Sequence, residues 1–318
     1  MLTALFHVDK FPEKDRSMLI HVLLFFTGLL LLYFASSWLV TGASDIARSF
    51  SIRTAVVGLT VVAFATSAPE LLVSLMAANQ QSSGVSVGNI LGSNVINIAL
   101  VLGISAIVNP VTINTVAVSR ELPYLATVSV LFWILCSDGD IGRIDGMVLI
   151  AALIIFLAYN IVTSRSGLTQ KDHPALTKTG FVWRMGLVVG GLFGLAVGAK
   201  WVVEAAIFTA RLFEFSELFI GISVVAVGTS LPELATSATA AFRRQNDISV
   251  GNITGSNLFN ICLVMGVVGL FAPISFDTAL NRFEFPFMVL LTLVFYYFAA
   301  RHGRIGRRAG LVFLLGFF

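Results

Sequence analysis

The sequence predicts an all-α membrane protein of ten transmembrane helices, arranged as two inverted five-helix repeats. Three observations carry that expectation. Of the 318 residues 57% are hydrophobic and 12% charged, and the mean hydropathy of +0.92 leaves more apolar surface than a water-soluble domain can bury. The apolar content is parcelled into runs long enough to cross a bilayer. The chain also repeats itself at a fixed offset of 163 residues.

Taken in order, the charged start (Lys10, Glu13, Lys14, Asp15, Arg16) lacks the shape of a cleavable signal and stays with the chain. Mostly apolar runs follow at about 18–42, 54–79, 85–108, 119–137, 144–163, 181–209, 217–242, 249–271 and 283–300. Each is close to the ~20 residues that a helix needs to span ~30 Å of hydrocarbon. A tenth run begins near 307 and stops at Phe318, too short to span; it aligns with the fifth, so a clipped C-terminus is expected. The first repeat therefore covers 1–163 and the second 181–318, joined by a polar linker at 164–180 that is too short to hold a regulatory domain.

The duplication is densest in two stretches, about 54–108 and 217–271. Residues 58–70 read GLTVVAFATSAPE and 221–233 read GISVVAVGTSLPE. At the same offset Gly88-Asn89-Ile90-Leu91-Gly92-Ser93-Asn94-Val95-Ile96-Asn97 returns as Gly251-Asn252-Ile253-Thr254-Gly255-Ser256-Asn257-Leu258-Phe259-Asn260. From Gly58 to Gly103, 25 of 46 positions are identical in a gapless alignment. Outside these stretches Gly28 meets Gly191, Trp38 meets Trp201, Pro110 meets Pro273, Glu121 meets Glu284 and Pro123 meets Pro286. An odd number of spans per repeat turns the second repeat upside down relative to the first. Such repeats place a shared site near the midplane and point to alternating access.

Charge sets the orientation. With ten spans, the N-terminal side carries 6 Lys and Arg (Lys10, Lys14, Arg16, Arg143, Arg211, Arg282), the other side carries 13, and only Lys200 falls within a span. The positive-inside rule then puts the N-terminus outside and the Arg165–Arg184 loop in the cytoplasm.

Each repeat plants a carboxylate, Glu70 or Glu233, in an apolar run. A charge at bilayer depth costs at least ~2.5–3.5 kcal/mol, so the default reading is functional. In the first copy Thr66 and Glu70 share a helix face with Ser67 beside them, and Pro69 disrupts the preceding turn and frees carbonyls around Phe64–Ala65. In the third run Ser93 and Asn97 lie at i and i+4, after a Gly88/Gly92 pair that permits close helix approach. The second copy supplies Thr229, Ser230, Glu233, Ser256 and Asn260, with Pro232 as the breaker. Two carboxylates, two amides, six hydroxyls and free carbonyls, with no thiolate or imidazole, suit Ca²⁺ and Na⁺ and argue against Zn²⁺ or Cu⁺. Shared acidic ligands make the two ions competitors, and they offer H⁺ a place to bind.

The pair G-x-[ST]-V-V-A-x-x-T-S-x-P-E and G-N-I-x-G-S-N-x-x-N, present twice, resembles the α-repeats of the cation/Ca²⁺ exchanger superfamily, and within it the prokaryotic Na⁺/Ca²⁺ exchangers of ten spans. The resemblance covers nearly the whole chain. It implies that Thr66, Ser67, Glu70, Ser93, Asn97, Thr229, Ser230, Glu233, Ser256 and Asn260 line central cation sites, with the backbone carbonyls of Ala63 and Ala226 as Na⁺ ligands. It also implies electrogenic exchange of inward Na⁺ for outward Ca²⁺, with the first and sixth spans as mobile elements, in a prokaryotic inner membrane. Ala65 and Ala68 depart from the commoner Gly and Leu, which Gly228 and Leu231 keep. Asn260, where K⁺-dependent members carry Asp, favours K⁺-independent exchange.

Other features take plainer readings. Cys136 and Cys262 lie in apolar runs and read as packing residues. Gly190, Gly194 and Gly198 lack P-loop spacing and read as a helix-packing face. Lys200 and Glu204 read as a snorkelling ion pair rather than a gate, Asp138-Gly139-Asp140 as a turn, and Glu121 and Glu284 as solvated or capping groups near span ends. His7, His21, His173 and His302 lie outside span centres, and no H-E-x-x-H or buried nucleophile triad is present, so no enzyme is expected. Neither a cofactor, a nucleic acid nor a protein partner is expected; the partners are Ca²⁺, Na⁺ and the lipid bilayer. A Ca²⁺/H⁺ or other cation/H⁺ antiporter on the same fold is the alternative, and a Ca²⁺-permeable channel a remote one, since channels assemble a filter around a central axis.

Overall fold

The computed structural model describes residues 13–50, 52–164, 177–213 and 226–317. They are almost wholly helical, in agreement with the expected all-α membrane fold. A long helix α1 (Glu13–Ser49) leads into α2, which is bent by 41° between Thr54–Thr66 and Ala68–Asn79. Next come α3 (Ser83–Val108), strand β1 (Val111–Thr112), α4 (Ala117–Leu135), β2 (Asp140–Ile141) and α5 (Arg143–Ser164). After the linker, α6 (Lys178–Leu212) is followed by the described part of α7 (Ala226–Thr229 and Leu231–Phe242) and by α8 (Asn246–Phe271). Strand β3 (Ile274–Ser275), α9 (Thr278–His302), β4 (Arg304–Ile305) and α10 (Arg307–Phe317) complete the order.

Among the described residues seven helices are long and apolar enough to cross a membrane, and the bent α2 makes eight. Two expected spans stand outside that set. The first half of the seventh lies outside the described residues, and α10 has 11 residues. The two short strand pairs tie the halves together: β1 is antiparallel to β4, and β2 to β3. Each pair joins the loop after a repeat's third helix to the loop before the other repeat's last. The Asp138–Asp140 turn forms as expected, with Gly139 at φ 86°.

Helices α3 and α8 run through the centre, and their motif residues from Ser86 to Asn97 and from Ile248 to Asn260 are largely buried. The glycines of α8 explain how close its neighbour comes. A Cβ on Gly255 would stand 2.4 Å from the Leu59 carbonyl oxygen and 2.6 Å from the Ala63 Cβ of α2. No described atom lies within 4 Å of the corresponding positions at Gly88 and Gly92.

Helices α1 and α6 pack along each other outside this core. The small-residue face on α6 is Gly191, Gly194 and Gly198, which meet Ala35, Leu39, Leu31, Gly28 and Leu32 of α1. Gly190, expected on that face, meets no described atom within 4 Å, because one residue of helix turns a side chain by about 100° away from the 191/194/198 stripe. Glu121 also corrects its expectation. It is buried rather than solvated, because it lies on the side of α4 turned toward the start of α2, where Arg53 approaches to 3.8 Å. Glu284 is exposed, Cys136 and Cys262 are buried and free, and Lys200 pairs with Glu204 at 3.7 Å.

The α2–α8 contact gives a packing prediction. Gly255→Ala should lower stability by about 1–3 kcal/mol, as overpacking does. Gly186→Ala, where a Cβ meets nothing within 4 Å, should leave stability unchanged or slightly higher. Thermal unfolding of both variants in detergent checks the contrast.

Candidate cation-binding site

The site begins with the break in α2. Its hinge residue Ser67 has φ −82° and ψ 3°, and Pro69 lies in the first turn of the second half. Proline has no N–H to give to the Ala65 carbonyl, so the ladder is interrupted at that point. The Ala63 carbonyl, expected as an ion ligand, already accepts from the Ser67 N–H at 3.0 Å and from the Thr66 hydroxyl at 3.3 Å. These bonds use part of its acceptor capacity and fix its direction. In α7, Ser230 has φ −87° and ψ 3°, and Pro232 again follows the hinge. Glu70 and Glu233 therefore both sit in the first turn of a half-helix, where the macrodipole favours a negative group. Ala226 begins the described part of α7.

The third and eighth helices contribute a second irregularity. The backbone widens to i→i+5 turns over Asn97–Leu102 and Phe259–Val264. Asn97 opens the first stretch, and Asn260 is the second residue of the other. Wide turns of this kind loosen the carbonyl ladder and re-aim side chains, and they concentrate at functional sites.

These breaks bring the expected residues together. The Thr66 hydroxyl lies 3.3 Å from the Ser256 hydroxyl and donates to Asn252 Oδ1 at 3.3 Å. Ser67 donates to Glu233 Oε1 at 3.5 Å, and Thr66 and Ser256 flank the same carboxylate. Glu70 is close enough to Glu233 for their charges to repel, and the Thr229 hydroxyl lies beside it. Ser93, Asn97, Ser230 and Asn260 are buried in the same helices. Asn97 donates to Asn257 Oδ1 at 3.1 Å, which leaves its own amide oxygen free to point elsewhere.

Chemically the centre is oxygen-rich and, among the described residues, without positive charge. Both oxygens of Glu70, Glu233 Oε2, the hydroxyls of Ser93 and Ser230, and the amide oxygens of Asn97 and Asn260 are buried without a hydrogen bond. Among the described residues neither carboxylate has an ion-pair partner. A buried polar atom left unpaired costs about 1–3 kcal/mol, and a charged one more. Neutral and anionic oxygens in one place match the preference of hard cations for oxygen ligands.

Sequence reasoning missed a set of polar contacts that holds these half-helices in place. Asn89 donates to Ser74 Oγ at 3.0 Å, and Ser86 donates to the Ser74 carbonyl at 3.0 Å. In the second repeat Asn252 donates to Ser237 Oγ at 2.9 Å, and Ser249 donates to the Ser237 carbonyl at 3.0 Å. Asn89 also reaches the Glu70 carbonyl, at 3.4 Å. All six residues recur at the 163-residue offset, and that identity was the signal available to find them.

Known proteins share this fold and much of this sequence. The family described as sodium/calcium exchanger protein matches residues 20–162 and 183–318. The inner membrane protein YrbG of Escherichia coli strain K12 is 36% identical over 313 residues, covering 94% of this chain and 95% of that one. The sodium/calcium exchanger MaX1 of Methanosarcina acetivorans is 30% identical over 335 residues, covering 93% and 96%. A solved structure of the sodium-calcium exchanger NCX_Mj superposes with a TM-score of 0.84 at 33% identity, covering 94% of this chain and 97% of that one.

A cation that binds this centre should stabilise the folded protein by RT ln(1 + [L]/Kd), about 2.7 kcal/mol at a hundredfold excess over Kd. Ca²⁺ is therefore expected to raise the unfolding temperature of the purified protein. Glu70→Gln and Glu233→Gln should each remove most of that rise, as read by a thermal-shift titration.

Proposed function

The chain belongs to the sodium/calcium exchanger family, and on that premise we propose that it is an electrogenic, K⁺-independent antiporter that moves Na⁺ inward and Ca²⁺ outward. The observation that carries this reading is the pair of buried carboxylates, Glu70 and Glu233, close together among unpartnered oxygens and without a basic partner among the described residues. Such a centre needs positive charge to be stable in an apolar surround. The ligands are Thr66, Ser67, Glu70, Ser93, Asn97, Thr229, Ser230, Glu233, Ser256 and Asn260, with the carbonyls of Ala63 and Ala226. Ca²⁺ and Na⁺ compete for the two acids, and the hydroxyls and carbonyls suit Na⁺. Electrogenic cycling couples each net charge to about 2.3 kcal/mol per 100 mV of membrane potential.

The architecture in this proposal is ten spans in two inverted repeats, with the N-terminus outside and the central linker cytoplasmic. Contacts related by the 163-residue offset support it. Ser74–Asn89 is matched by Ser237–Asn252, and Gly28 against the Gly198 carbonyl by Gly191 against that of Ala35; β1–β4 is matched by β2–β3, with β4 lying 164 residues after β2. In the cycle α1 and α6 slide across the remaining helices and open the site alternately to the two faces. With both carboxylates bare the crossing is opposed by their burial, which couples the two ion movements.

The deciding experiment is ⁴⁵Ca²⁺ uptake into proteoliposomes preloaded with Na⁺, against vesicles preloaded with K⁺ or given only a pH gradient. Uptake is expected only with internal Na⁺, with a rate that responds to imposed voltage. Uptake driven by a pH gradient without Na⁺ would make H⁺ the coupling ion, and uptake with no counter-ion would indicate a channel.

A further inference from the structure

Helices α1 and α6 are fastened to each other at both ends, but among the described residues a polar clasp to the core is present at one end only. At one end Arg184 of α6 pairs with Asp45 of α1 at 3.0 Å. The residues at the matching positions of the repeat are His21 and Phe208, and their rings stack at 3.8 Å at the other end. The α1–α6 pair is thus symmetric in its own contacts.

Its contacts with the core are not. Arg243, which ends α7, donates to the Ser37 carbonyl of α1 at 3.3 Å, to the Thr41 hydroxyl at 2.5 Å and to the Ser37 hydroxyl. One turn earlier on α7, Thr239 shares a hydrogen bond of 2.8 Å with Ser36. At the matching positions in the other half, Gln80 stands for Arg243, Lys200 for Ser37, Glu204 for Thr41, Met76 for Thr239 and Ala199 for Ser36. Lys200 and Glu204 pair with each other at 3.7 Å, and their side chains are 71% and 47% exposed. The described structure shows no hydrogen bond or ion pair from either of them to Gln80.

We infer that Arg243 is a latch that holds α1 to the core in this conformation, and that Gln80 forms the opposite latch with Lys200 and Glu204 when the carrier turns over. The inference rests on the proposed exchange cycle and its inverted repeats, which exchange conformations as the carrier changes face. In the second state α6 takes the place relative to α2 that α1 now has relative to α7. The Gln80 amide would then donate to the Glu204 carboxylate and accept from the Lys200 ammonium. Arg243 would release Ser37 and Thr41 to water. One latch is closed at a time, so α1 and α6 move as a unit between two polar stops. A single guanidinium can grip a backbone carbonyl and two hydroxyls at once because its donors form a fixed fork.

Both latches lie away from the ion ligands, so removing one should change the balance of conformations and leave the ligand set complete. The test uses full-length protein with Cys136→Ser and Cys262→Ser and nitroxide pairs at each end. Phe34→Cys with Phe242→Cys spans the Arg243 end, and Val197→Cys with Asn79→Cys spans the Gln80 end. Arg243→Ala should lengthen distances at the Arg243 end and shorten them at the Gln80 end. Gln80→Ala should favour the conformation described here, and the double variant should fall between the two single ones. Unchanged distributions in Arg243→Ala would overturn the latch. Lengthening at both ends, or shifts of the same sign in both single variants, would make Arg243 a general packing contact and overturn it too. ⁴⁵Ca²⁺ uptake by the unsubstituted protein is measured in parallel. Its failure to depend on Na⁺ would remove the exchange reading, while the distances would still judge the latch.

Discussion

Two carboxylates are held together in an apolar interior with no basic side chain paired to them among the described residues, and the surrounding structure is arranged to tolerate this. Taking one charge out of water is expensive, and placing a second beside it adds repulsion. The protein meets that cost with oriented groups rather than counter-charges. Each Glu sits at the start of a half-helix, hydroxyls from Thr66, Ser67 and Ser256 surround Glu233, and Thr229 lies near Glu70. What these dipoles leave unmet is the positive charge that a bound cation supplies, and that remainder is the chemical basis of the proposed exchange.

Such a centre needs irregular backbone, and irregular backbone needs support. The hinges at Ser67 and Ser230 and the wide turns from Asn97 and Phe259 loosen the carbonyl ladder at bilayer depth, where water cannot repair it. The asparagine–serine contacts of α3 and α8 fasten the displaced half-helices, and close glycine packing at Gly251 and Gly255 brings α2 against α8. Asn252 has a further part: it holds Ser237 of its own repeat and accepts from Thr66 of the other. That one amide thereby joins the two halves of the site, alongside the Thr66–Ser256, Ser67–Glu233 and Asn97–Asn257 contacts. An aliphatic side chain of the same size could fill that space but could not set the register.

Outside this rigid centre the α1–α6 pair behaves as a separate layer. Its two helices meet along a face of small residues, and polar contacts with the core run through Ser36, Ser37 and Thr41 of α1. The proposed cycle divides the labour accordingly: the core keeps the ligands and the outer pair moves. In the inferred latch, the polar contact of Arg243 and Thr239 with α1 acts as a stop rather than a glue.

Much of this was legible in the sequence. Composition and run length determine a multi-pass helical protein, because continuous apolar runs of about 20 residues fit spanning helices, whereas barrel strands are about 10 residues long with alternating polarity. The repeated Thr-Ser-x-Pro-Glu determines where the helices break and which acids are buried, since proline removes a donor wherever it lies and a Glu in an apolar run has few other roles. Tertiary structure decided what depends on facing direction. Glu121 reads as a solvated end group until α4 is placed beside Arg53, and Gly190 reads as a packing residue until the 191/194/198 stripe is seen on α1. The wide turns at Asn97 and Phe259 have no proline or other breaker within them to mark them in the sequence. The partners of Asn252 and Arg243 were invisible because the bonds join positions 186 and 206 residues apart, and only the fold brings such positions together.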